Sequence, residues 1–233
     1  MRSTRVTALQ DIMAHLFAPI DSSIRIVAVC GMAGSGKSTI AKTIAKHIDK
    51  EKRLAASFFF SREYEERKRL AAVPATLALQ LSAYSFKFCQ LLIEALESDG
   101  TQLDQAESHL QFQKLVVDLL VKLPASTTPI VIILDALDEC DDRGARLLKW
   151  LSVCIEQIPP HIRFLITGRP ERSILSHLVE SKPLHHLSFV LKLEDVDHNV
   201  VNHDILQYLK QSLIGQTWDV PHEWAVTSVD AVS

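Results

Sequence analysis

Short apolar runs alternate with helical patterns along the whole chain. Five runs rich in β-branched and aromatic residues have the composition of strands, at positions 24–30, 55–62, 130–134, 163–167 and 186–193. Apolar residues recur at helical spacing at 5–17, 37–48, 74–123, 144–157, 171–179 and 200–213. A turn at Asp99-Gly100 is expected to divide the longest of these stretches. Strands that alternate with helices predict an α/β fold, in which a mainly parallel sheet carries helices on both faces.

The run at 130–134, Ile-Val-Ile-Ile-Leu, is typical of a strand that is covered on both sides, because only such a strand is apolar without interruption. Ligands of parallel sheets bind beyond the carboxyl ends of the strands. The residues that follow each predicted strand are therefore the candidates for chemistry.

Composition and charge narrow the range of partners. The 233-residue chain is 47% hydrophobic and 23% charged, as ordinary globular domains are. Its net charge of −3 comes without a basic block, so we expect no nucleic-acid partner. No apolar run reaches the roughly 18 residues that cross a bilayer, so we expect no membrane span. The four cysteines lie far apart, which favours packed, reduced thiols and a cytoplasmic location.

The residues after the first strand match the pattern G-x-x-x-x-G-K-[ST], which is typical of phosphate-binding loops. Glycines allow positive φ angles, so successive backbone amides can surround a phosphate, and the amino end of the next helix also favours negative charge. A glycine loop can instead serve only as a tight turn, but the strand and the helix that the motif requires are both predicted here. We expect Lys37 to reach the β- and γ-phosphates and Ser38 to bind Mg²⁺. The predicted nucleotide-binding residues are Gly31, Met32, Ala33, Gly34, Ser35, Gly36, Lys37, Ser38 and Thr39.

Three acidic residues follow the most apolar strand. In P-loop enzymes an acid at this place holds the Mg²⁺ shell, and a further acid orients the attacking water. We predict Asp135 as the metal ligand, together with Ser38, and Glu139 as the general base. Asp138 competes for the role of base because the spacing does not say which side chain turns inward. The alternative is an acidic cluster that only makes a loop soluble, since Asp141 and Asp142 continue the run.

A threonine and an arginine follow the fourth strand at the same edge of the sheet. Thr167 could sense the γ-phosphate, and Arg169 could contact it or pair with the acidic cluster. We therefore place Arg169 among the predicted catalytic residues. The alternative is that Arg169 pairs only with Glu171 or another carboxylate of the loop. Arg62 has a similar place after the second strand, where a plain surface role is slightly favoured.

Four segments together resemble the NACHT domains of the STAND class of P-loop NTPases, in the nephrocystin-type N-terminal form that is frequent in large fungal proteins. The segments are GMAGSGKSTIAKTIA at 31–45, ASFFFSR at 56–62, IVIILDALDEC at 130–140 and RFLITGRPE at 163–171. The Asp-small-Leu-Asp-Glu form at 135–139 is the most discriminating feature. The Thr-Ser-Arg-Pro of the family is Thr-Gly-Arg-Pro here, at 167–170.

The resemblance implies a P-loop NTPase fold, a three-layer α/β/α sandwich with a five-stranded, mainly parallel sheet in the order 5-1-4-3-2. It implies a lead-in helix at 1–22, an NTPase core at 23–193 and the start of a helical region at 194–233. Proteins of this family are molecular switches: ADP holds a closed form, NTP exchange opens it, and homo-oligomerisation passes the signal to a protein effector supplied elsewhere. We do not expect this chain to include the helical and winged-helix regions that usually close over the nucleotide in the family, because they do not follow Ser233 in the given sequence.

The leading functional hypothesis is therefore a nucleotide-controlled signalling module with slow, Mg²⁺-dependent hydrolysis of ATP or GTP. ATP is favoured only as the commoner outcome, because no fixed spacing identifies the base. One alternative is a non-catalytic nucleotide-binding or interaction fragment of a larger STAND protein. The other is a phosphotransferase acting on a small molecule, which would need an acceptor pocket with a basic lid that the sequence does not reveal.

Overall fold

The chain folds around one parallel sheet. The structure is a computed structural model and describes residues 5–180 and 184–193. Its five strands lie in the order β2-β3-β4-β1-β5, and every neighbouring pair is parallel. Read from the other edge, this is the predicted order 5-1-4-3-2, which is confirmed. The strands are β1 (Ile26–Cys30), β2 (Leu54–Phe59), β3 (Ile130–Asp135), β4 (Ile162–Gly168) and β5 (Ser188–Lys192).

Helices connect the strands and cover both faces of the sheet. The α-helices are α1 (Arg5–Leu16), α2 (Lys37–Lys50), α3 (Glu65–Lys68), α4 (Ala72–Tyr84), α5 (Phe86–Asp104), α6 (Ser108–Phe112), α7 (Asp118–Val121), α8 (Ala145–Cys154), α9 (Arg172–Leu175) and α10 (Leu184–Leu187). Two π-helical stretches, Gln113–Val117 and Ser176–Glu180, and a 3-10 turn, Leu137–Glu139, complete the described elements.

The alternation of side chains along the strands divides the core into two layers. Ile132 and Leu134 of β3 pack with α4, α5 and α8 on one face of the sheet, whereas Val131 and Ile133 pack with α1 and α2 on the other. All four of these side chains are fully buried. Burial on both faces is what the uninterrupted apolar run predicted, and it gives the three-layer α/β/α architecture.

The register of β3 and β4 sets up the site. Leu134 pairs with Ile166, so the next residues, Asp135 and Thr167, lie beside each other at the carboxyl end of the sheet. The same end of β1 leads into the glycine loop and α2. Parallel pairing therefore brings three separate segments of the sequence to one edge.

The predicted division of the long helical stretch was wrong. Asp99 and Gly100 lie within the continuous helix α5, and the stretch divides instead at Ser85, between α4 and α5, and at 105–107, between α5 and α6. Ser85 has an extended backbone, and its hydroxyl accepts a hydrogen bond from the amide of Phe88 at 3.3 Å. An N-cap of this kind begins a helix, whereas a single interior glycine only weakens one.

The last strand is shorter than predicted. The predicted strand at 186–193 begins only at Ser188, and His185 and His186 belong to α10. Their rings make a T-shaped contact with centroids 4.9 Å apart. The predicted helix at 200–213 lies outside the described residues. The division of the chain into lead-in, core and helical region stays a prediction.

No helix in the described part of the chain is both long and apolar enough to cross a membrane.

Helix α1 is part of the core. Leu9, Ile12 and Leu16 are 2%, 0% and 0% exposed and pack against the face of the sheet that also carries α2. The guanidinium of Arg163, itself 1% exposed, donates a hydrogen bond of 2.9 Å to the carbonyl of Pro19, just after the helix. The lead-in segment is thus fixed both by apolar packing and by a buried hydrogen bond.

We expect Ile12→Ala to lower the free energy of unfolding by about 2–5 kcal/mol, because it leaves a cavity between α1 and the sheet. The measurement is chemical denaturation. Gln10→Ala is the matched control, since Gln10 is an exposed residue of the same helix, and it should change stability by less than about 0.5 kcal/mol. Equal stabilities of the two variants would show that α1 does not pack on the sheet.

Candidate functional site

The glycine loop joins β1 to α2 with two residues in the left-handed region. Gly34 has φ 75° and Gly36 has φ 84°, and Gly36 is the residue that precedes the first turn of α2. A side chain would be strained at either position, so the sequence needs glycine at both. Met32, Ala33 and Gly34 are exposed, which leaves the outer side of the loop open to a ligand.

Lys37 lies in the first turn of α2 and is folded back on the loop. Its Nζ donates hydrogen bonds to the carbonyls of Gly31, at 2.7 Å, and Met32, at 2.9 Å. The residue is only 8% exposed. Burial lowers the pKa of Lys37, and the nearby carboxylate of Asp138 opposes that effect. Two backbone carbonyls therefore position the ammonium group. No carboxylate of the described residues forms a salt bridge with it.

Asp135 is enclosed at the end of β3, where it is 2% exposed. Its Oδ1 accepts a hydrogen bond of 2.5 Å from the hydroxyl of Thr167. Burial raises the pKa of Asp135, and the hydroxyls of Thr167 and Ser38 oppose the increase by stabilising the charged form. The two residues predicted to hold Mg²⁺, Ser38 and Asp135, are thus close enough to interact.

The position of Thr167 differs from the expectation that it senses a γ-phosphate. The residue is fully buried, its hydroxyl donates its one hydrogen to Asp135, and its oxygen accepts from the amide of Ala136 at 2.9 Å. Thr167 therefore orients Asp135 and joins β4 to the start of the acidic turn.

A residue with a strained backbone lies between Asp135 and the other two acids, Asp138 and Glu139. Ala136 has φ 58°, a left-handed conformation that is uncommon for a residue with a side chain, and it precedes the 3-10 turn that carries Asp138 and Glu139. The turn sends the two carboxylates into different surroundings. Asp138 is 3% exposed, whereas Glu139 is only partly buried.

Asp138 is engaged by two arginines. Its Oδ1 accepts a hydrogen bond of 3.0 Å from the backbone amide of Arg169, and Nε of Arg169 lies 2.9 Å from Oδ2. On the other side, the guanidinium of Arg62 donates to the backbone carbonyl of Asp138 at 2.7 Å and lies 3.7 Å from Oδ2. The structure thus brings Arg62 to the acidic turn, although the sequence slightly favoured a surface role for it. The alternative pairing of Arg169 with Glu171 is not the one seen, because Glu171 pairs with Arg143.

Glu139 keeps a carboxylate at the edge of the site. Its Oε2 accepts a hydrogen bond of 3.1 Å from the backbone amide of Arg62. Unlike Asp138, it has no arginine side chain paired with it in the described structure. It is the freer of the two candidate bases.

These residues surround a cleft of about 320 Å³, within the range of small-ligand sites. Four of the predicted site residues do not line the cleft directly, namely Gly31, Met32, Ser35 and Asp135. Gly31 and Met32 act through their carbonyls on Lys37, and Asp135 lies behind Ser38 and Thr167. The lining residues are Ala33, Gly34, Gly36, Lys37, Ser38, Thr39, Ala136, Asp138, Glu139 and Arg169.

A second acidic group follows the site but has a structural role. The ligand atoms of Cys140, Asp141 and Asp142 lie within 4.8 Å of one another. Asp142, however, already accepts hydrogen bonds from the amides of Gly144 and Arg146, and it therefore caps α8. Burial raises the pKa of Cys140 to about 12, so this thiol is a packed and unreactive one. All four cysteines of the chain are free.

Comparison with solved structures supports the assignment of the fold. Cdc6p from Pyrobaculum aerophilum superimposes with a TM-score of 0.51 at 12% identity, over 89% of this chain and 48% of that one. The ORC1 protein of Aeropyrum pernix, solved in complex with DNA, gives 0.49 at 14% identity, over 88% and 48%. The chain thus spans about half the length of either protein. At 12% identity the likeness to Cdc6p shows a shared fold and no more.

Comparison of sequences identifies the family. No curated protein matches the chain significantly. The family model described as nephrocystin 3, N-terminal, matches residues 9–169, more than half of the chain. This match covers the glycine loop, the acidic turn and Arg169, the same segments that carry the resemblance found in the sequence. The chain therefore belongs to the nephrocystin 3 N-terminal family and has a P-loop NTPase fold.

Proposed function

We propose that this domain is a NACHT-type module that binds ATP or GTP with Mg²⁺, hydrolyses it slowly and acts as a nucleotide-controlled switch. The observation that carries the proposal is the cleft in which Lys37, Ser38, Glu139 and Arg169 meet at the carboxyl edge of the sheet. Such a combination supplies a cation for phosphates, an oxygen for a metal, a carboxylate for water and a second cation for developing charge.

The loop and α2 would hold the phosphates. Backbone amides of a left-handed glycine loop and the amino end of a helix both favour an anion. Among the residues that the structure describes, the ammonium group of Lys37 is bound to two backbone carbonyls and to no carboxylate, so it can turn to phosphate oxygens without breaking a salt bridge. Its position on the cleft wall is the one that a polyphosphate bound to the loop requires.

The residues present fit a magnesium ion. Mg²⁺ prefers hard oxygen ligands, and the hydroxyl of Ser38 and the carboxylate of Asp135 lie close enough to interact. We assign Ser38 and Asp135 to the metal, which when bound would neutralise charge on the phosphates. The hydroxyl of Thr167 orients Asp135 through its hydrogen bond to Oδ1.

Glu139 is the better candidate for the general base. A base must be able to take a proton from a water molecule in the site, so its carboxylate needs access to the cleft and freedom from a tight ion pair. Glu139 lines the cleft, and its partner within residues 5–180 and 184–193 is a backbone amide, whereas Asp138 is buried against Arg169. We therefore assign Glu139 to the water and Arg169 to the γ-phosphate.

The switch, the signal and the partners rest on the family resemblance. We propose that NTP binding promotes homo-oligomerisation and that a protein effector supplied elsewhere receives the signal. Four free thiols fit a cytoplasmic location. ATP is favoured over GTP only as the commoner nucleotide, and we propose neither a nucleic-acid nor a membrane partner.

Lys37→Ala should abolish binding of both ATP and ADP, because the phosphates lose their main cation. The measurement is calorimetric titration with ATP, GTP and ADP, each with and without Mg²⁺, which also reports the base preference and the dependence on metal. Lys46→Ala is the matched control, since Lys46 is an exposed lysine of the same helix, and it should bind as the unaltered protein does. Unchanged affinity of Lys37→Ala would refute the phosphate site.

Glu139→Gln should retain nucleotide binding and reduce turnover by about 100-fold or more, because the amide keeps the hydrogen bond to Arg62 but cannot accept a proton. The measurement is phosphate release under single-turnover conditions together with the ATP dissociation constant. Glu156→Gln, an exposed acid at the end of the α8 region, is the control and should turn over normally. Normal hydrolysis by Glu139→Gln would show that another group activates the water.

A further inference from the structure

Asp138 is bound too tightly for a base, which raises the question of what it does. It is 3% exposed and has a guanidinium within 4 Å of its carboxylate on each side. A buried carboxylate in this state costs free energy unless it is fully paired, so its partners are the reason for its presence. The closer partner is Arg169, which also lines the cleft.

The contact between Asp138 and Arg169 has two points. The backbone amide of Arg169 donates to Oδ1 of Asp138, and the side-chain Nε of Arg169 lies against Oδ2. One carboxylate therefore holds both the backbone and the side chain of Arg169. Two points of contact fix the direction of the guanidinium, whereas one would leave it free to rotate. Within residues 5–180 and 184–193, the two terminal nitrogens of Arg169 have no hydrogen-bond partner. They remain available to a ligand.

The local sequence favours this arrangement. Pro170 follows Arg169 and restricts the arginine to an extended backbone. Gly168 precedes it, and a Cβ at that position would lie 2.9 Å from Cδ1 of Ile174 and 3.7 Å from Oδ1 of Asp138. The contact with Ile174 is tighter than a real Cβ allows, whereas 3.7 Å to Oδ1 of Asp138 is an ordinary van der Waals contact, so the glycine serves the packing of Ile174 on the end of β4.

Arg62 fixes Asp138 from the opposite side. Its guanidinium binds the backbone carbonyl of Asp138 at 2.7 Å, and its backbone amide binds Glu139. The acidic turn is thereby tied to the end of β2 as well as to the end of β4. Asp138 is held in place and can in turn hold Arg169.

We propose that Asp138 is a positioning residue that aims the terminal nitrogens of Arg169 at the γ-phosphate. The inference rests on the proposed function. ADP has no γ-phosphate, so the pair contributes to the affinity for a nucleoside triphosphate and not to that for ADP. Asp138 thus helps the site to distinguish a nucleoside triphosphate from ADP. Glu139, by contrast, activates the attacking water.

Two variants separate this role from that of a base. Asp138→Asn keeps the shape and an oxygen for the amide of Arg169, but it loses the charge that attracts Nε. Arg169→Lys keeps a cation but cannot present one nitrogen to Asp138 and others to a phosphate. Arg146→Lys is the matched control, because the amide and Nε of Arg146 also engage one carboxylate, both at Oδ2 of Asp142, at 2.9 and 2.8 Å, and Arg146 does not line the cleft.

The experiment is calorimetric titration of each variant, and of the double variant, with Mg²⁺-ADP and with a non-hydrolysable Mg²⁺-ATP analogue. Asp138→Asn and Arg169→Lys should each weaken binding of the analogue by about 10- to 100-fold, because a charge-assisted hydrogen bond is lost, and leave ADP unchanged. The double variant should lose no more than either single variant, since both act on one contact. Arg146→Lys should bind both nucleotides normally.

Several results would overturn the proposal. One is that either single variant still prefers the ATP analogue over ADP as strongly as the unaltered protein does. Another is that the losses of affinity for the analogue multiply in the double variant. A third is an Asp138→Asn protein that keeps the preference but loses turnover, which would make Asp138 a base. If Asp138→Asn does not fold, the result for Arg169→Lys tests the proposal, since the side chain of Arg169 is 38% exposed and tolerates substitution. Failure of the unaltered protein to bind either nucleotide would instead refute the proposed function, and this inference with it.

Discussion

The arrangement of the site depends on one enclosed carboxylate, that of Asp135 at the end of β3. Taking a carboxylate out of water is costly, so the surrounding chain must supply hydrogen-bond donors. Thr167 supplies one from β4 and Ser38 another from α2. Because both donors must reach the same group, the phosphate loop and two strands are fixed relative to one another. The same contacts leave Ser38 and Asp135 side by side, as a shared metal would require.

Much of the fold could be predicted because the sequence signals are local. The apolar run of β3 and the glycines before α2 each require a particular backbone, and alternating strands and helices then imply a parallel sheet. The errors concern elements where local signals compete. Gly100 suggested a turn, but the helix continued because one glycine costs only about 1 kcal/mol in a helix. The break between α4 and α5, at Ser85, has a local sequence signal, because serine is a residue that often caps the start of a helix.

The chemistry of the site was harder to predict, because it depends on pairs of residues that are distant in sequence. Spacing alone could not separate Asp138 from Glu139, since the left-handed Ala136 decides which of them turns inward. Nor could it show that Arg62, 76 residues away, binds the carbonyl of Asp138. A local signal for the pairing of Asp138 with Arg169 does exist, in the proline that follows the arginine and restricts its backbone. Its meaning becomes clear only when the ends of β3 and β4 are adjacent.

The two ends of the sheet use the same interaction for different purposes. At the amino end, Arg25 donates to the carbonyls of Ile158 and Pro159, and Arg163 donates to that of Pro19. Those cations are enclosed, so their bonds to carbonyls only hold loops and α1 against the sheet. At the carboxyl end, Lys37 is bound to carbonyls as well, but it also lines a cleft. A bond between a cation and a neutral carbonyl is weaker than a salt bridge, so an entering anion can displace it. The two kinds of contact therefore differ in access: the proposed role of Lys37 depends on the opening of the cleft, whereas Arg25 and Arg163 have no such opening beside them among the described residues.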